Sequence, residues 1–168
     1  MALVVEDGSG VPGAVSFIDV DYVRSYASAR GRTIPEASPE GDTKIEQAAI
    51  VAMDYIGTLE TRLKGQRTYD IQSTPFPRMY VTVANIRQPY DAIPEDIRKA
   101  QAELTLATLD GFDLMPTLDG AEVKREKVGP IETEYATGSA RGAGPVVARA
   151  FALLQPFYAI VALRTSRA

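Results

Sequence analysis

The chain has 168 residues, 45% of them hydrophobic and 24% charged, with a formal net charge of −4, a make-up that fits one globular domain with a sizeable core. It contains no Cys and no His, which excludes disulfides, thiolate nucleophiles, zinc–thiolate sites and the commonest general base near neutral pH. An enzyme is therefore not expected, nor a cofactor or a catalytic or structural metal.

Leu3 to Val5 is a short extended run, and Asp7 to Gly13 follows with the spacing Gly8-x-Gly10-x-x-Gly13. That spacing spells a dinucleotide fingerprint, but the fingerprint requires a helix to open at its last glycine. Here Pro12 and the strand-like Val15 to Ile18 stand in that place, so the stretch reads as a glycine turn. Asp19 reads as the N-cap of a first helix over 19–30, with Val20, Val23 and Ala27 on one stripe and Gly31 as the stop. Asp19 and Asp21 are the nearest approach to a paired carboxylate site, and at a helix start they read as a cap and a solvated acid.

Thr43-x-x-Glu46 has the form of a capping box, and Ile45, Ala49, Ala52, Ile56, Leu59 and Leu63 follow at helical spacing, so a second helix is expected over 43–63. Residues 65–88 look irregular, with Met79 to Ala84 as the only strand-like run. Pro94 marks the first position of a third helix over 94–110, whose stripe of Ile97, Ala100, Leu104 and Ala107 and small alanines make it the expected centre of a small bundle. Arg98 and Lys99 fall on its outer face. Arg62, Lys64 and Arg67 fall near the C-terminus of the second helix, where the helix dipole favours cations.

Val123 to Tyr135 then places a basic arm, Lys124, Arg125 and Lys127, and an acidic arm, Glu132 and Glu134, on either side of Gly129-Pro130. Gly-Pro breaks a helix, and the alternating Val, Ile, Thr and Tyr suit extended backbone, so a β-hairpin or a pair of arms is expected. The opposite charges could pair within the hairpin or across to a neighbouring copy of the chain. A Gly/Ala/Ser linker, a short helix over 145–154 and the apolar run Phe157 to Leu163 complete the chain. Residues 135–168 hold four arginines and no acid, a net of +4 against −8 for residues 1–134. The terminal run is either the last element of the core or a partner-binding arm, in which Phe157, Tyr158, Ile160 and Leu163 anchor and Arg164 and Arg167 meet acidic groups at the rim.

The expected fold is mainly α: a small helical bundle with an extended β-hairpin or arm and a C-terminal tail. A helical core domain spans 1–135, with the charged hairpin at 123–135, and 136–168 supply the linker, short helix and arm. No stretch approaches the length of a membrane span.

Several segments together resemble a known family: Val5-Glu-Asp-Gly8, Asp21-Tyr22, Ala52-x-Asp54-Tyr55-Ile56, Lys64-Gly-Gln-Arg67, Pro77-Arg78, Ile93-Pro94, Ala102-Glu-Leu104 and above all Lys124-Arg-Glu-Lys-Val-Gly-Pro-Ile-Glu132. The family is that of head-tail connector (adaptor) proteins of tailed bacteriophages, whose members are often labelled DnaT-like single-stranded DNA-binding proteins. The resemblance implies a virion structural protein of the phage neck, assembled in the bacterial host cytoplasm. It would form a homo-oligomeric ring, usually twelvefold, between the portal protein and the next tail or neck protein, with double-stranded DNA passing through its lumen. The alternative is a single-stranded DNA-binding replication accessory protein, for which Tyr80, Arg87 and Tyr90 are the best candidates to stack on and neutralise a strand.

Overall fold

Four helices carry the fold in the computed structural model, which describes residues 3–115, 125–128, 131–134 and 145–159, the two segments within 125–134 and positions 145–147 by backbone alone. Asp19 caps α1 (Val20–Ser28) as expected, its carboxylate accepting from the Tyr22 amide at 2.7 Å. The next helix, α2 (Pro39–Thr58), starts four residues before Thr43. Ser38 is its N-cap, accepting from the Gly41 amide at 3.0 Å, and Pro39 fills the first turn, where no N–H is needed. Thr43 lies inside the helix, its hydroxyl donating to the Pro39 carbonyl.

At the centre lies α3 (Glu95–Leu109), preceded by Pro94 in the cap position and buried at every residue from Ala100 to Ala107. It packs on α1, on α2 and on α4 (Pro145–Leu154), which is why an apolar stripe on one face alone could not serve it. Its buried polar residues are each satisfied. Gln101 accepts from the Phe17 amide at 2.8 Å and donates to Ser16 Oγ at 2.9 Å and to the Ala49 carbonyl at 3.0 Å, joining the N-terminal segment, α2 and α3 at one amide. Glu103 accepts from the Tyr26 hydroxyl at 2.6 Å and lies 3.1 Å from Arg149 Nε, joining α1, α3 and α4.

The C-terminal segment belongs to this same core, which corrects the division at residue 135. Ala150, Leu154 and Phe157 are buried with Phe17, Ile56 and Phe76 in one cluster. Phe157, expected as a partner anchor, is 2% exposed and meets Phe76 edge to face at 5.8 Å. Tyr158 pairs antiparallel with Leu63, and the Lys64 and Ala159 amides bond the Phe157 and Arg62 carbonyls at 2.8 Å each. Apolar contact and backbone bonding together hold the run on its own fold. Ile160, Leu163, Arg164 and Arg167 lie outside the described residues, as does Lys124.

Small antiparallel sheets accompany the helices, so the fold is mainly α with small sheets. Residues 65–88 are more regular than expected: β1 (Gln66–Arg67) pairs with β2 (Arg78–Met79), and β3 (Thr82–Val83) with β4 (Ile86–Arg87). The charged segment forms the hairpin of β5 (Arg125–Val128) and β6 (Ile131–Glu134), in a register that sets Arg125 opposite Glu134 and Lys127 opposite Glu132. Opposite charges thus face each other within one chain.

The stretch from α2 to β2 is fastened by Glu60, in a 3-10 turn after α2. Its carboxylate accepts from Arg67 Nε and Nη2 at 2.6 and 2.7 Å and from Arg78 Nη1 at 3.3 Å, while buried Arg78 also donates to the Lys64 and Gly65 carbonyls at 2.8 Å. The Arg67 hydrogen bonds hold the Glu60 carboxyl below its usual 4.5, against a smaller opposing effect of burial. Because the folded carboxyl titrates below the unfolded one, its stabilisation is complete above about pH 4.5 and is lost as the pH falls through the folded value. In melting curves taken between about pH 6 and about pH 3, the gap between wild type and Glu60→Gln is expected to narrow. A gap independent of pH would exclude Glu60 as the source.

Candidate nucleic-acid interface

The surface with the chemistry to meet a polyanion is built on the β3–β4 hairpin. Its two-residue turn, Ala84-Asn85, has φ of 49° and 63°, the paired positive values of a I′ turn, whose twist matches that of the flanking strands. Tyr80, just before β3, also has a positive φ, 62°, and stands 67% exposed. Arg87 on β4 holds its guanidinium 5.8 Å from the centre of the Tyr80 ring. The pair presents an aromatic face with a cation beside it.

Lys64 fixes the base of this surface, its ammonium donating to the Thr82 carbonyl at 3.1 Å and to the Pro156 carbonyl at 2.8 Å. Those bonds tie the hairpin to the C-terminal turn and leave a positive charge at the edge of an open groove of about 560 Å³, lined by Lys64, Gly65, Tyr80, Thr82, Asn85 and Ala159 among others. Gly65 is required here: at φ 70°, a Cβ would stand 2.0 Å from the Met79 carbonyl oxygen. Further along the chain Tyr90 is 54% exposed, with its carbonyl accepting from the Thr68 hydroxyl.

Other basic residues are engaged within the fold. Arg67 and Arg78 serve Glu60, Arg98 packs its guanidinium 4.5 Å over the Tyr22 ring, and Lys99 lies 3.9 Å from Asp96. Arg24 bonds Asp42, and Arg32 bonds Asp110. The site residues expected from sequence divide accordingly: Tyr80 and Arg87 come together, whereas Arg125, Lys127, Glu132 and Glu134 lie in the self-paired hairpin and Phe157 in the core. Lys64 was missed as a partner of Tyr80. The only signal for it in the sequence was the glycine at 65, which permits the close approach of the two segments.

These features define a small, mainly α protein that carries an exposed aromatic–cation hairpin. The chain belongs to the family described as "Putative DnaT-like ssDNA binding protein", whose model matches residues 1–168. No curated protein and no solved structure was found to match it. The family match overturns the expectation of a head-tail connector. It runs over the whole chain and points to single-stranded DNA, in place of a portal protein, a neck or tail protein and double-stranded DNA in the lumen of a ring.

Proposed function

We propose that this protein binds single-stranded DNA without catalysis, as an accessory to replication, through the β3–β4 hairpin. The observation that carries the proposal is the exposed Tyr80 ring with Arg87 beside it and Lys64 at its base. Every base has a face that stacks on an aromatic ring, so such a pair binds strands with little regard to sequence, while cations neutralise the phosphates that follow. The family description supports the same ligand. The acidic remainder of the chain limits the affinity and confines the strand to this region.

Fluorescence anisotropy of a labelled thymidine oligomer, titrated at several salt concentrations, tests the proposal. Tyr80→Ala is expected to cost about 1–3 kcal/mol of binding. Arg87→Ala should reduce the slope of log affinity against log salt by about 0.7, the value for one phosphate contact on a single strand. Wild-type binding that is indifferent to both substitutions would exclude the hairpin as the interface.

A further inference from the structure

A second cavity, of about 310 Å³, opens between the N-terminal glycine turn and the segment leading into α3. Val5, Phe17, Ala92 and Ile93 give it apolar walls, and Glu6 and Arg98 give it two polar groups. Glu6 is only 1% exposed. Its Oε1 accepts from the Gly8 and Gly10 amides at 2.8 and 2.9 Å, but its Oε2 finds no hydrogen-bond partner among the described residues. Arg98 Nε is buried and equally without a partner. The turn is held in place by close packing, since at Gly8, with φ 111°, a Cβ would lie 2.3 Å from the Asp91 carbonyl oxygen.

A buried carboxylate oxygen left without a donor is costly, and here the cavity also holds an unused N–H. One vacant acceptor and one vacant donor between apolar walls complement a flat group that carries a donor beside an acceptor on one edge. Every nucleobase has such an edge, with an amino or imino N–H next to a ring or carbonyl acceptor, and two apolar faces. The volume lies at the lower end of small-ligand pockets, about 300–1,000 Å³, which suits one base better than a larger cofactor. Asp7 beside the cavity and Glu6 within it repel phosphate, so a base and not the backbone is the group that enters.

We infer that the Glu6–Arg98 cavity receives one unpaired nucleobase edge-on, Glu6 Oε2 accepting from it and Arg98 Nε donating to it. This rests on the single-stranded DNA reading and extends it, because Tyr90 is two residues from Ala92 and so within about 7 Å along the chain. A base in the cavity is the neighbour of one that reaches Tyr90.

The test is a titration of the full chain with the nucleoside deoxycytidine, which carries no phosphate, followed by amide NMR. Saturable shifts are expected at Gly8, Gly10 and Ala92. Glu6→Gln retains an oxygen for the two glycine amides but replaces the vacant acceptor with an amino group, and should weaken deoxycytidine binding by about tenfold or more. If Glu6→Gln does not fold, Arg98→Met removes the donor from the other side and is expected to weaken binding likewise. Absence of saturable shifts in the wild type, or binding unchanged in the folded variant, overturns the inference. A thymidine oligomer run in parallel separates the two claims: an oligomer that binds without perturbing Gly8 and Gly10 leaves the hairpin reading standing and removes the cavity. Deoxycytidine binding without oligomer binding does the reverse.

Discussion

Phe157→Ala is expected to destabilise the protein by about 3–5 kcal/mol, the cost of truncating a buried phenylalanine to a cavity. The side chain is 2% exposed and stands edge to face with Phe76, which meets Phe17 in the same manner at 6.2 Å. Three rings from the N-terminal segment, the middle of the chain and the C-terminal turn thus form one stack of perpendicular contacts. The backbone on either side of Phe157 is hydrogen-bonded to residues 62 and 64, so the segment cannot slide to fill the space. Urea unfolding measures the effect. A loss below about 1 kcal/mol would show that the segment is held loosely, in keeping with an arm that docks elsewhere.

Glu103→Ala is expected to cost about 3 kcal/mol, the lower end of the range for breaking a buried charged pair. Glu103 is 2% exposed and accepts from the Tyr26 hydroxyl, while Arg30 lies 3.7 Å away and Arg149 3.1 Å. Arg149 is more than half exposed, so its attraction is screened by water, and most of the loss comes from the orphaned Tyr26 hydroxyl and the empty space. Burial first, and then the hydrogen bond to Glu103, push the Tyr26 phenol up to about 12. With the folded value above the unfolded 10, this contribution is complete below pH 10 and is lost as the pH rises through about 12. Phenolate absorbance supplies the second readout: in Glu103→Gln, which keeps the volume but removes the charge, Tyr26 should titrate closer to 10 than in the wild type.

What could be read in advance was what local chemistry dictates. Asp19 announced α1 because a cap is a contact within four residues, and the alanines and leucines of α3 announced a central helix because burial repeats with the helical period. The alternating residues around Gly129-Pro130 announced an extended hairpin for the same reason. The start of α2 was misplaced because two local signals competed, and Ser38-Pro39 begins a helix as well as Thr43-x-x-Glu46 does. The β3–β4 hairpin was not legible, since Ala84-Asn85 lacks the glycine that usually marks a I′ turn and its strands are only two residues long. Gln101 and Glu103 looked like solvated positions. Their burial depends on three other segments closing over α3, which no window of sequence contains. Tyr80 and Arg87 were paired from composition alone, whereas the Glu6–Arg98 cavity joins residues 92 positions apart and could be seen only in three dimensions.

The Gln101 amide also bears on the order in which the chain can assemble. It serves Phe17 across 84 residues and Ala49 across 52, so a single side chain closes two long loops at once. Neither of the earlier segments can satisfy its own polar groups without it. A fragment ending before residue 101 is therefore not an autonomous folding unit, however regular its first two helices, and a nascent chain must wait for α3 before its N-terminal segment has a place to dock.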